Sequence, residues 1–257
     1  MDKSKLLKGA VPIDLNMDVE NIYDDFQNKF DNWIHKYNGI VKGLPKNRYT
    51  VSGITDALNQ LYGMFNKIGI FDGEYGYHKL VFPDRITHNF AEADVIIVSH
   101  PFSADGLSSY DKLQIADSFN KPIFVDCAWL GICQDIDFDF NEFKNIHTVA
   151  FSLSKSFGTG WYRVGQIYTE AKYPVSVYEE WFYPLLSSVK YHYDLIDKYD
   201  PNFIPNKYKQ KQIEVCKEYK LTPSKTVMFG LDNTERYIEF KRGNVNRVCI
   251  SLLLRDK

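Results

Sequence analysis

Three reactive side chains follow short apolar runs in this 257-residue chain. Asp126 ends the run Ile123-Phe-Val, and Lys155 comes shortly after the run Thr148-Val-Ala-Phe. Arg163 lies eight residues beyond Lys155, after a loop that contains two glycines. A lysine amine can form a Schiff base with an aldehyde, and a carboxylate beside a ring nitrogen keeps that nitrogen protonated. The pattern therefore predicts a site for an electron-withdrawing aldehyde cofactor.

A candidate phosphate-binding turn, Ser52-Gly-Ile-Thr55, opens a predicted helix. Backbone N–H groups at a helix start and an arginine fork are well suited to bind a phosphate dianion. Taken singly, each signal has an ordinary alternative: a surface lysine, an aspartate in a turn, or a helix N-cap. The order and spacing of the residues favour one phosphorylated cofactor that contacts all of them.

The elements that must position these residues are short apolar runs separated by helices. Runs rich in Val, Ile and Phe occur at 68–71, 95–98, 123–125, 147–151 and 164–168, with helical patterns at 107–119 and 141–145 between them. Such alternation predicts an α/β fold with a mostly parallel central sheet flanked by helices. Ligands bind at the carboxyl ends of the strands in these sheets, which is where the reactive residues fall.

The two ends of the chain differ in texture from this central part. An amphipathic helix is predicted over 18–37, and a second helix begins near Thr55. An aromatic-rich segment covers 175–199, where we expect Pro184 to kink or divide a helix. A helix up to about Tyr219 and strands at 225–230, 237–240 and 247–254 follow. We predict an N-terminal helical segment (1–49), a large cofactor-binding domain (50–172) and a small α+β C-terminal domain (173–257).

Composition excludes several classes of function. With 31 Lys+Arg against 33 Asp+Glu, the net charge of −2 argues against non-specific electrostatic binding to nucleic acid or anionic membrane. The cysteines at 127, 133, 216 and 249 form no CxxC pair, so no metal site is predicted. The acidic run 135–139 is interpreted as a solvated strand or turn rather than a cation site. No leader or membrane span is visible, so we expect a cytoplasmic protein.

The segment Ser152-Leu-Ser-Lys155-Ser-Phe-Gly-Thr-Gly-Trp-Tyr-Arg163-Val-Gly165 resembles the Schiff-base segment of class I/II aminotransferases that use pyridoxal 5′-phosphate (PLP). The stretch Lys121-Pro-Ile-Phe-Val-Asp126-Cys-Ala-Trp129 is similar to the pyridinium-binding strand of the same family. The resemblance implies the PLP fold type I. It also implies that Lys155 carries the cofactor, that Asp126 pairs with the ring nitrogen, and that Ser152 and Arg163 bind the phosphate.

Three weaker correspondences extend this resemblance. The turn around Gly53, Ile54 and Thr55 is similar to the phosphate-cradling turn of the family. Tyr75 looks like the aromatic residue that stacks on the ring, with Tyr77 as the alternative. Arg247 resembles the arginine that binds the substrate α-carboxylate, a task that suits a bidentate guanidinium; the alternative is a surface arginine beside an edge strand.

The chain departs from the family pattern at the ring hydroxyl. His100-Pro101 stands where the family has Asn-Pro, and Trp129 stands where it has a tyrosine. Both side chains can donate an N–H, so we expect His100 and Trp129 to contact the cofactor there. The chain is also short for the family, and the similarity is poor beyond residue 170.

The resemblance implies a PLP-dependent aminotransferase that acts on an amino donor and a keto acceptor. It also implies a homodimer, because the active site of this family lies between two subunits. Two alternatives remain open at this point. The same anchors would serve another PLP reaction, such as that of a lyase or decarboxylase. The shortened chain could also be a non-catalytic binding protein with the same fold.

Overall fold

The computed structural model describes residues 22–171 and 185–254. Its centre is a seven-stranded sheet with the spatial order β2-β9-β8-β6-β5-β3-β4. Strands β8, β6, β5, β3 and β4 run parallel, whereas β9 is antiparallel to both of its neighbours. The strands of this sheet are β2 (Asn47–Val51), β3 (Ile68–Ile70), β4 (Ile86–Thr87), β5 (Val95–Ser99), β6 (Ile123–Cys127), β8 (Ile146–Ser152) and β9 (Gly165–Thr169), with β1 (Val41–Lys42) and β7 (Phe138–Asp139) forming a separate pair.

Both faces of this sheet are buried, as the continuous apolar runs predicted. Successive side chains of a strand point to opposite faces. Val95 and Ile97 of β5 therefore join one hydrophobic cluster, while Ile96 and Val98 join the other. The structure confirms the predicted α/β class, and the five predicted runs correspond to β3, β5, β6, β8 and β9.

Helices cover the two faces. On one face lies α2, and on the other α1 packs against α6 with Trp33 Nε1 donating to Tyr199 O at 2.8 Å. The predicted helix at 141–145 is wrong: this stretch is a turn in which Asp139 Oδ1 accepts from Asn141 N. None of the described helices is both long and apolar enough to cross a membrane. The helices are α1 (Ile22–Ile34), α2 (Ile54–Met64), α3 (Tyr77–Val81), α4 (Tyr110–Asp117), α5 (Ser154–Phe157), α6 (Leu186–Lys198) and α7 (Phe203–Tyr219).

A second, antiparallel sheet follows α7, with the order β10-β11-β13-β12. The predicted strand at 237–240 is wrong, because the Thr234 side chain accepts from Arg236 N and starts a 3₁₀ helix, Glu235–Phe240. The predicted strand at 225–230 begins only at Phe229. Pro184 lies outside the described residues, and the division into three segments stays a prediction. The strands are β10 (Thr222–Pro223), β11 (Phe229–Asp232), β12 (Lys241–Arg242) and β13 (Val245–Cys249).

Candidate active site

A cavity of about 340 Å³ lies where β5, β6 and β8 end, between the central sheet and the second sheet. Ten of the eleven residues that the sequence singled out line it; His100 does not. A larger and more open groove of about 700 Å³, beside Asp31 and Arg48, contains none of them. The ten residues are Gly53, Ile54, Thr55, Tyr75, Asp126, Trp129, Ser152, Lys155, Arg163 and Arg247.

Asp126 and Lys155 reach the cavity from neighbouring parallel strands. Asp126 is near the end of β6, and Lys155 lies in the short helix α5 that follows β8. Asp126 is only 6% exposed, and its Oδ1 accepts from Ala128 N at 2.9 Å. Burial raises the pKa of this carboxyl to about 6, while the Ala128 hydrogen bond and the positive charge of Lys155 act in the opposite direction. Asp126 is therefore mostly ionised at neutral pH and close to a cation.

The turn before α2 forms a cradle with Arg163 and Ser152. Gly53 has a φ of 73°, a left-handed conformation that favours glycine. A Cβ added at Gly53 would lie 3.6 Å from Arg163 Cβ and 3.7 Å from Ser152 Oγ, so the missing side chain leaves this space open. Arg163 Nη1 donates to Thr55 Oγ1 at 3.0 Å. An arginine, two hydroxyls and the first N–H groups of α2 thus surround one point, as an anion site requires.

Tyr75 forms one side of the cavity and is held by an acid that sequence reasoning missed. Glu74 is 6% exposed, with Oε1 accepting from Tyr75 N and Oε2 accepting from Ser99 N, both at 2.9 Å. Burial raises the pKa of Glu74 to about 8, and the charge of Asp126 adds to the rise. A single glutamate in a glycine-bearing turn looks like a surface residue, so no sequence signal marks it.

His100 is placed away from the cavity, contrary to the expected contact with the ring hydroxyl. Its Nε2 donates to Asp137 O at 2.7 Å, and its Nδ1 lies 2.9 Å from Ser109 Oγ. The imidazole stacks on Tyr110, with ring centroids 5.1 Å apart. Burial lowers the pKa of His100 to about 4, so the ring is neutral at pH 7. Its role is therefore to join the end of β5 to its neighbours.

The second sheet closes the cavity opposite the central sheet. The guanidinium carbon of Arg247 lies 4.5 Å from the ring centroid of Phe229 and 5.4 Å from that of Trp129. Its Nη1 donates to Ser103 O. Burial lowers the pKa of Arg247 to about 10, which still leaves it a cation at neutral pH. Arg247 is thus fixed at the cavity wall rather than free at an edge strand.

The residues present fit a cofactor with an aldehyde, a basic ring and a phosphate. Lys155 offers an amine, Asp126 a carboxylate, and the Gly53 turn an anion cradle on the far side. Two further hydroxyls, Ser99 Oγ and Ser154 Oγ, are buried in the lining without a hydrogen-bond partner among the described residues. Ser99 is the last residue of β5 and Ser154 follows β8, so the carboxyl-end rule could have singled them out.

Comparisons with known proteins agree with this geometry at the level of the fold. No family model matches the chain, and no curated protein matches it. Among solved structures, the histidinol-phosphate aminotransferase from Clostridium acetobutylicum is similar, with a TM-score of 0.60, 16% identity, and coverage of 91% of this chain and 77% of that one.

Two further structures share the fold and differ in reaction. A PLP-bound C-S lyase from Staphylococcus hominis aligns with a TM-score of 0.60 and 14% identity over 92% of this chain and 73% of that one. The L-threonine-O-3-phosphate decarboxylase from Porphyromonas gingivalis aligns with a TM-score of 0.57 and 13% identity, over 93% of this chain and 97% of that one. The chain therefore has the expected fold type I architecture, which supports several reactions.

Proposed function

We propose that the protein is a PLP-dependent aminotransferase that binds its cofactor through Lys155. One observation carries the proposal: an amine, a buried carboxylate and an arginine-bearing anion cradle line a single cavity at the strand ends. Similarity to aminotransferases of the same fold supports it. PLP would supply an aldehyde for the lysine and a ring that withdraws electrons from the carbon next to the substrate nitrogen.

The side chains of this chain have separate tasks in that reaction. Gly53, Thr55 and Arg163 hold the phosphate, and Asp126 holds a proton on the ring nitrogen. The Lys155 amine would hold the cofactor through its aldehyde. During the reaction Nζ would take the proton from the substrate α-carbon as a general base and, as an acid, deliver it to the carbon of the former aldehyde.

Other residues of the site bind and orient. Tyr75 packs on a ring face, and Ser152 adds a hydroxyl to the phosphate cradle. Arg247 binds the α-carboxylate through its guanidinium, which sets the direction of the breaking C–H bond. Trp129 packs beside Arg247, whose guanidinium carbon lies 5.4 Å from its ring centroid. The backbone N–H of Ile54, in the first turn of α2, has no acceptor within the helix and would donate to the phosphate.

We also propose that the active form is a homodimer in the cytoplasm. Trp161 is 98% exposed and lies between Gly160 and Arg163, which both line the cavity. An apolar ring of this size at a cavity mouth is typical of a surface that a second subunit covers. The four free cysteines suit a reducing compartment. Sedimentation at two protein concentrations measures the oligomeric state, and a monomer at both would refute the proposed homodimer.

A second candidate function keeps the cofactor and changes the reaction. The fold is shared with a C-S lyase and a decarboxylase, and Lys155, Asp126 and Arg247 could serve either chemistry. Formation of pyridoxamine 5′-phosphate, which keeps the amino group of the substrate, indicates transamination. Release of a thiol or of carbon dioxide indicates the alternatives.

The experiment compares Lys155→Ala with a control, Lys144→Ala, which alters an exposed lysine before β8. Purified protein is mixed with PLP, and the visible absorbance of the lysine Schiff base is recorded. We expect the band in the native chain and in the control, and its loss in Lys155→Ala. Amino acids are then added, and formation of pyridoxamine 5′-phosphate with a keto acid supports the aminotransferase. A band that survives Lys155→Ala would remove the assignment.

A further inference from the structure

One wall of the cavity consists mostly of residues to which no cofactor contact is assigned. Arg247 and Cys249 are two residues apart on β13, so their side chains share one face of the second sheet. Phe229 of β11 lies opposite Cys249 of β13, and its ring packs against that of Trp129 with centroids 4.9 Å apart. Met228, just before β11, lines the same cavity. We call this face of the second sheet, together with the adjoining Trp129, the substrate wall; its residues are Trp129, Met228, Phe229, Arg247 and Cys249.

The charges of the cavity leave one cation for a substrate. The charged residues among its described lining are Asp126, Lys155, Arg163 and Arg247. If the proposed function holds, the first three act on the cofactor. Arg247 Nε is buried without a hydrogen-bond partner among the described residues, whereas its Nη1 already donates to Ser103 O. The remaining N–H groups of Arg247 can therefore bind one carboxylate.

The rest of the substrate wall is apolar. Phe229 is buried, and Met228 and Trp129 are half-buried. A second ionised group placed among these side chains would lose its hydration without gaining a partner of opposite charge. Exposed Arg242, whose Nη1 lies 3.7 Å from a Cβ built on Gly76, is not part of the described lining.

The size of the cavity limits the substrate as well. Its volume of about 340 Å³ is at the lower end of the range for ligand sites, about 300–1,000 Å³. The same space must hold the cofactor and the substrate together. Little room therefore remains beside the cofactor for a long substrate side chain.

We infer that the substrates are amino acids with one carboxylate and a small apolar side chain, and that Met228 and Phe229 determine this specificity. The inference rests on the proposed function. The carboxylate binds Arg247, the amine points toward Lys155, and the side chain packs on the substrate wall. An acidic side chain is rejected because no cation of the described lining faces it there.

The test measures kcat/KM of the PLP-loaded protein for L-alanine, L-leucine, L-glutamate and L-lysine. We expect the better apolar substrate to exceed glutamate by at least about tenfold, since a desolvated unpaired charge weakens binding. Met228→Lys adds a cation to the substrate wall, and we expect it to lower this ratio at least about tenfold. Met228→Gln adds polarity without charge, and we expect it not to raise kcat/KM for glutamate. Met64→Lys, the same substitution on the exposed end of α2, should leave the ratio unchanged.

Each outcome separates the inference from the function on which it rests. A Schiff-base band with glutamate or lysine as the preferred substrate overturns the inference while the proposed function stands. A Met228→Lys protein that keeps the band and the native ratio overturns the role of Met228. A chain that forms no band with PLP refutes the proposed function instead. The band also shows that each variant is folded.

Discussion

Replacing Glu74 with Gln tests whether a buried, protonated acid lies behind the cavity residues Tyr75 and Ser99, whose N–H groups it accepts from. Glu74 accepts hydrogen bonds from Tyr75 N and Ser99 N, yet burial and the nearby charge of Asp126 raise its pKa to about 8 from 4.5. The positive charge of Lys112 acts in the opposite direction. The folded chain therefore holds a proton that the unfolded chain has already lost at pH 7.

The size of the effect follows from this difference in pKa. Between pH 4.5 and 8 the folded state binds more protons than the unfolded state, so the free energy of unfolding falls as pH rises. At about 1.36 kcal/mol per pKa unit, the loss between pH 5 and pH 8 is about 4 kcal/mol. Gln at position 74 cannot ionise, so the Glu74→Gln protein does not lose this unfolding free energy as pH rises. Its single amide oxygen leaves one N–H without an acceptor, which costs about 1–2 kcal/mol at every pH.

We therefore expect Glu74→Gln to be less stable than the native chain at pH 5 and about 2 kcal/mol more stable at pH 8. Urea denaturation of the cofactor-free protein at pH 5, 6, 7 and 8, at one protein concentration, measures both free energies. The control is Glu218→Gln, which changes an exposed glutamate of α7. A difference between native and Glu74→Gln chains that stays constant over the four pH values would refute a protonated Glu74.

The remaining predictions concern the charge of Asp126 and the space around two glycines, Gly131 and Gly63. Asp126→Asn keeps an oxygen for the Ala128 N–H but removes the negative charge, and we expect kcat to fall at least about 100-fold with a smaller change in PLP affinity; an unchanged kcat in steady-state assays would remove its electronic role. Gly131→Ala would place a Cβ 2.1 Å from Ser156 Oγ and 2.7 Å from Ser156 Cβ, so we expect a loss of about 2–3 kcal/mol in denaturant unfolding. Gly63→Ala, inside α2 with open space around it, should instead stabilise by about 0.5–1 kcal/mol, and a loss there would show that the packing argument fails.

Local patterns predicted the central sheet because its strands are buried on both faces. The runs Val95–Val98 of β5 and Ile123–Val125 of β6 are continuous in apolar residues, a pattern typical of strands covered on both faces. Short segments at the periphery were less informative. The stretch 237–240 has the composition of a strand, but the Thr234 cap and a hydrogen bond from Tyr237 Oη to Tyr219 O make it a 3₁₀ helix.

The sequence by itself determined which chemical groups the cavity contains. Asp126 lies near the end of β6, Lys155 follows the neighbouring parallel strand β8, and Arg163 comes eight residues after Lys155. Order along the chain was therefore sufficient to predict that they meet. The roles assigned to them stay predictions until the proposed experiments are done.

Only the tertiary structure decided which neighbours those groups have. His100 follows β5 just as Asp126 lies near the end of β6, yet Asp137 and Ser109 hold its ring away from the cavity. Glu74 is an ordinary turn residue in the sequence and becomes a buried acid because Ser99 N and Tyr75 N converge on it. Burial and the direction of a side chain depend on residues far apart in the chain, and local patterns do not carry that information.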